Sequence, residues 1–111
     1  MGRYPDAELL YVRSLSIWEQ QLGADHPNTA LILSDLAELY RAMGRYPEAE
    51  RLYLGALEIF FNRLGENAAD TQTVWSNFIN FLREAISTGQ DSQLSQHPTT
   101  QAMLQRLRET E

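Results

Sequence analysis

The sequence predicts an all-α protein of stacked antiparallel helix pairs, about two and a half copies of a 42-residue unit closed by a C-terminal capping helix. Three observations carry that expectation: an internal repeat, apolar residues at helical spacing, and Pro and Gly where helices should start and stop. The repeat is the strongest. Gly2-Arg3-Tyr4-Pro5-Asp6-Ala7-Glu8 recurs as Gly44-Arg45-Tyr46-Pro47-Glu48-Ala49-Glu50, and the register continues through Leu15 and Leu57, Gly23 and Gly65, Ser34 and Ser76, and Arg41 and Arg83.

The elements follow in chain order. Pro5 opens the first helix, which runs to Leu22 with Leu9, Leu10, Val12 and Leu15 among its apolar residues. Pro27 suits a first helical turn, and Leu33, Leu36, Ala37 and Tyr40 fall at i, i+3, i+4 and i+7, so a second helix is expected from about Pro27 to Met43. Gly44 stands where a left-handed cap ends it. Pro47 opens the third, whose apolar residues Ala49, Leu52, Tyr53, Ala56, Leu57, Phe60 and Leu64 lead to Gly65. The short connection at Gly44 makes these two helices antiparallel. A further helix carries Trp75, Phe78, Ile79 and Leu82. A third Gly-Arg-Tyr-Pro is due at position 86, but the chain reads Ile86-Ser87-Thr88-Gly89 and then a polar stretch, so 86–97 is expected as an irregular linker. Residues 98–110, with Met103, Leu104 and Leu107, are expected to form the capping helix, because the last unit of a stack otherwise exposes its apolar face. The division is therefore one domain over 1–111, with units at 2–43 and 44–85. The helix opened by Pro27 is of the first type and the helices opened by Pro5 and Pro47 are of the second, so the first copy begins on a second-type helix with no first-type helix before it. Either the sequence is cut from a longer array, or another copy of the chain supplies that surface.

Composition narrows the function. At 111 residues, with 43% hydrophobic and 22% charged residues, the chain has the mixture of one small globular domain. Nine basic residues, all Arg, against fifteen acidic ones give a net charge of −6, which disfavours a grip on nucleic acid or an anionic membrane. Without Lys there is no Schiff-base or P-loop lysine, and without Cys no thiol nucleophile, disulfide or Cys-based metal site. His26 and His97 each precede a proline at a helix entry, a placement that reads as helix-start geometry and not as a metal site. No Gly-x-Ser-x-Gly elbow and no Gly-rich phosphate loop occurs, and the Glu residues lie mainly on helical faces. The expectation is a soluble, cytoplasmic protein that is not an enzyme and needs no cofactor.

The repeat resembles the tetratricopeptide family, whose signature is W-x₂-L-G-x₂-Y followed by A-x₃-F. Leu33-x₂-Leu36-Ala37-x₂-Tyr40 fills the first-helix positions, and Ala49-x₃-Tyr53 with Ala56 fills the second. Trp75-x₂-Phe78-Ile79-x₂-Leu82 opens another unit. The 42-residue period exceeds the family's usual 34 by eight residues, roughly two helical turns. In that respect it is similar to the kinesin-light-chain type of repeat, whose Gly-Arg-Tyr, Glu-Ala-Glu, Leu-Gly, Asp-His-Pro and Thr-Ala wording is legible over Gly44–Glu50 and Leu22–Ala30. The resemblance covers about residues 2–85. It implies a right-handed solenoid that binds other proteins, with first-type helices lining a concave groove that receives extended peptides.

Candidate binding residues follow from the register. Ser34, Glu38 and Arg41 fall at i, i+4 and i+7 on a polar stripe, and their equivalents are Ser76, Asn80 and Arg83. Stacking is expected to set these six in two parallel rows on one wall, with both Arg side chains fixing acidic groups of a peptide while Ser34, Ser76 and Asn80 bond its backbone. The competing reading is a solvated face with a local Glu38–Arg41 pair. Trp18, Phe60, Trp75, Phe78 and Phe81 are expected in the core. Phe61 replaces Glu19 of the preceding unit and is either covered by the capping helix or part of an interface. The alternative function is self-association through exposed solenoid ends, with the N-terminal helix as the contact.

Overall fold

The computed structural model describes residues 3–110; Gly2, which opens the first copy of the repeat, lies outside them. Five α-helices follow one another: α1 (Tyr4–Leu22), α2 (Pro27–Ala42), α3 (Tyr46–Leu64), α4 (Ala69–Ser87) and α5 (Pro98–Thr110), with a 3₁₀ turn at Asp91–Gln93. No strand occurs among the described residues. Both bounds of α3 lie 42 positions after those of α1, and α4 starts 42 positions after α2, so helical structure keeps the sequence register.

Local chemistry sets the ends. His26 is the N-cap of α2, its Nδ1 accepting from the Asn28 N–H at 3.0 Å, and Pro27 fills the turn position where no N–H is needed. His97 repeats the arrangement for α5, accepting from the Thr99 N–H at 3.1 Å. Both histidines thus act at helix starts. At the other end of α2, Gly44 adopts φ +79°, which lets the Arg45 N–H donate to the Tyr40 carbonyl at 2.8 Å and turns the chain into α3.

The same turn recurs after α4, three residues later than the register predicts. Gly89, at φ +75°, takes the place of a glycine at 86, and the Gln90 N–H donates to the Ala85 carbonyl at 2.7 Å. No Tyr-Pro follows it, so the chain enters a 3₁₀ turn and an extended stretch instead of a full second-type helix. Ser95 and Thr100 both reach Glu50 of α3, whereas Arg108 at the far end of α5 reaches Asp91 just past α4 at 2.6 Å. The connection therefore runs out along the α3–α4 pair and α5 runs back, covering the Glu50 end.

The core lies between α2, α3 and α4 and continues under α5. Ala30, Ala37, Ala49 and Ala56 are fully buried and let backbones approach closely, while Tyr53, Phe60, Phe78, Phe81 and Leu82 fill the space between helices. Tyr53 meets Phe81 and Phe78 at ring distances of 5.1 and 5.9 Å, and Tyr46 meets Phe81 at 5.3 Å. Phe60, Phe78 and Phe81 occupy the core as expected. Trp18 and Trp75 are only half-buried, a correction to their expected place in the core; Trp75 packs against the core from its edge, where it lines an opening beside the start of α5.

Candidate functional site

The candidate site is built on the first-type helices α2 and α4. Ala30, Ser34, Ala37 and Arg41 form one stripe of α2: both alanines are in the core, and at the C-terminal end of the stripe the Arg41 guanidinium donates to the Glu84 carboxylate of α4 at 3.2 Å. Arg41 also donates from Nε to Glu38 at 3.3 Å. Burial works against its charge, but the bonds to Glu84 and Glu38 outweigh that and hold its pKa above the ordinary arginine value. Beside these groups Asn77, Asn80 and Phe81 complete a cleft of about 210 Å³.

Three of the six sequence-predicted residues, Glu38, Arg41 and Asn80, therefore meet in one cleft. Ser34 does not belong to a solvated wall: it is only 6% exposed, because it shares its helical face with Ala30 and Ala37. The equivalent stripe of α4, carrying Ser76 and Arg83, has no first-type helix after it among the described residues, so both residues remain exposed. Ser76 lines a separate opening of about 410 Å³ with Phe61, Thr71 and Trp75. Arg83 lines neither opening, so the pair of Arg side chains in one groove is not formed. Glu84 and Asn77 were not singled out from the sequence, and Phe81 was expected only as a core residue. The signal for them lies in their spacing, i, i+4 and i+7 on the α4 face opposite to the one that repeats the α2 stripe.

A second polar cluster joins the units. Tyr40 donates to Glu8 at 2.7 Å, and Arg45 donates to the same Glu8 oxygen at 3.2 Å while its Nη2 pairs with Glu48 at 2.7 Å. The guanidinium carbon lies 4.4 Å from the centre of the Tyr40 ring, within cation–π range. The bond from Tyr40 holds the Glu8 carboxyl below its usual pKa, with Arg45 adding to the effect against desolvation. Burial, followed by the bond to Glu8, raises the Tyr40 phenol. The Gly-Arg-Tyr motif thus has a structural use at each position: the turn at Gly44, the ion-pair junction at Arg45, and the core ring at Tyr46.

At the uncovered end of α3 and α4, Phe61 is 41% exposed and stands edge-on to Trp75 at 6.3 Å. An opening of about 600 Å³ lies beside the start of α5, with Leu54, Phe61, Trp75 and His97 among its walls. The capping helix leaves Phe61 uncovered.

Helix pairs of this kind, repeated at 42 residues with small residues at the close contacts, agree with what a comparison of the chain with protein families finds: the tetratricopeptide repeat model matches residues 1–62. The chain belongs to the tetratricopeptide repeat family. Members of this family are non-catalytic repeat modules that generally mediate protein–protein interaction. No curated relative matches the chain. The tetratricopeptide match covers α1, α2 and most of α3, whereas the late turn and α5 lie beyond it. No described helix is long and apolar enough to cross a membrane.

Proposed function

We propose that the chain is a protein–protein interaction module that receives an extended peptide segment in the cleft between α2 and α4. The observation that supports this reading is a cleft lined by the Asn77 and Asn80 amides together with Glu38 and Glu84, both of which pair with a single guanidinium, Arg41. An amide side chain both donates and accepts, which suits an extended backbone. Two carboxylates share one Arg, so an acidic ligand must compete with Glu38 and Glu84 for it. The favoured segment is therefore neutral or basic, a revision of the acidic peptide expected from the Arg41–Arg83 register.

A peptide array of random sequence, titrated with the purified chain, tests the reading. Peptides that bind are expected to lose roughly 1 to 3 kcal/mol of affinity on Asn80→Ala and little on Arg83→Ala. If Arg83→Ala weakens binding and Asn80→Ala does not, the site moves to the outer wall with Ser76. A second reading, self-association, is favoured by α1, which leaves Leu9, Leu10, Val12 and Ile17 exposed. Sedimentation of the intact chain across concentration tests it.

A further inference from the structure

Glu50 is the one core position at which a carboxylate is enclosed by the C-terminal segment: it is 1% exposed, and every hydrogen bond found to it comes from that segment. The Ser95 N–H donates to Oε1 at 2.8 Å, and the Ser95 and Thr100 hydroxyls both donate to Oε2 at 2.6 Å. No basic side chain forms an ion pair with Glu50 among the described residues. Its equivalent one unit earlier, Glu8, differs in that Arg45 pairs with it. A buried carboxylate held by neutral donors alone depends on all of them, because each donor removed leaves charge unsolvated.

Ser95 contributes two of the three donors and is itself on an extended, exposed stretch between the 3₁₀ turn and α5. Its hydroxyl also accepts from the His97 N–H at 3.2 Å, and its carbonyl accepts from Gln101 at 2.7 Å. One residue therefore ties α5 both to Glu50 and to its own first turn.

We propose that Ser95 is a phosphorylation site whose modification releases α5 from the α3–α4 pair. A nucleoside-triphosphate-dependent kinase transfers the γ-phosphoryl group to Ser95 Oγ. The bond from phosphorus to the leaving diphosphate oxygen breaks, the P–Oγ bond forms, and the hydroxyl proton passes to the kinase's base. The product has lost the O–H that satisfied Glu50 and carries about −1.5 to −2 charge at the same place, where like charges repel and burial amplifies the repulsion. Relief comes from moving the segment outward. Leu94, Leu104 and Leu107, which are buried in the unmodified chain, leave the core with it. The consequence is an apolar α3–α4 face opened on demand, separate from the cleft between α2 and α4, so that loss of the peptide reading leaves this one intact.

Hydrogen exchange on the full chain tests it, with phosphoserine installed at position 95 by ligation and with Ser95→Asp and Ser95→Asn as the charged and neutral substitutions. Amides of α5 are expected to exchange at least about tenfold faster in the phosphorylated and Ser95→Asp chains than in Ser95→Asn, while α2 and α3 keep their protection. Combining phosphoserine with Glu50→Gln removes the repulsion and is expected to restore slow exchange. Equal α5 exchange with and without phosphate, the same acceleration in Ser95→Asn as in Ser95→Asp, or acceleration undiminished by Glu50→Gln overturns the proposal. Should the Glu50→Gln chain fail to fold, the contrast between Asp and Asn decides. Incubation with ATP and a panel of serine/threonine kinases, read by mass spectrometry, checks access: modification of other hydroxyls without Ser95 also overturns it.

Discussion

The phenol oxygen of Tyr53 is buried against Phe78 and Phe81 with no hydrogen-bond partner among the described residues. A lone buried hydroxyl carries a desolvation cost that its ring, packed on two aromatic neighbours, offsets. Tyr53→Phe keeps the ring and removes the cost. The expected outcome is a thermal midpoint unchanged or raised, with a gain of up to about 1 kcal/mol in denaturant titration. A loss of stability on that substitution shows that the hydroxyl has a partner in solution. Single positions also show how far a repeat register reaches. Ser34 and Ser76 are the same residue in the same helical position, yet one is buried and the other exposed, because the first lies inside the stack of helices and the second on its last first-type helix. A local periodicity reports which residues share a face. It carries no information on how many helices that face will meet.

At the scale of elements, the helices were legible because their signals are local. Pro at the first turn, Gly in the left-handed region at Gly44 and apolar spacing within each unit fixed α1 to α3 to within about two residues, the ordinary uncertainty of a helix end. The late turn at Gly89 was not legible, since it falls three residues outside the 42-residue register. Nor was the Arg41–Glu84 pair, because stacked helices meet through opposite faces and contact therefore joins positions that are not equivalent. Close contact between elements makes a direct prediction. Ala49 and Ala56 are fully buried in α3, so Ala49→Leu or Ala56→Leu overpacks the helix contacts and is expected to cost about 1 to 3 kcal/mol by denaturant titration. Leucine at the exposed Glu58 is the control on the same helix, with little change expected. An unchanged midpoint in either alanine variant contradicts the assigned contact face.

For the whole molecule, the distribution of apolar surface is uneven: α2 to α4 hold the core, while α1 has no buried residue and exposes Leu10 at 64% and Ile17 at 53%. In α3, the equivalents Leu52 and Ile59 are partly buried against the core, so this side of a second-type helix is built to be covered. Two α1 helices meeting about a two-fold axis bury the same patch on both copies, which closes the assembly at a dimer and avoids open-ended fibres. Only part of the area gained converts to affinity, because association costs translational and rotational freedom. Weak self-association is the expected result. Sedimentation velocity from about 10 μM to about 1 mM should show a sedimentation coefficient that rises with concentration, and the double variant Leu10→Glu, Ile17→Glu should stay monomeric with its helical content kept. Substituting Phe61→Glu serves as the comparison, since it charges the apolar surface at the other end of the stack. If Phe61→Glu abolishes association and the α1 variant does not, the contact lies at the Phe61–Trp75 end. A coefficient that stays constant for the unmodified chain over the whole range removes self-association as a function and leaves the cleft between α2 and α4 as the interaction surface.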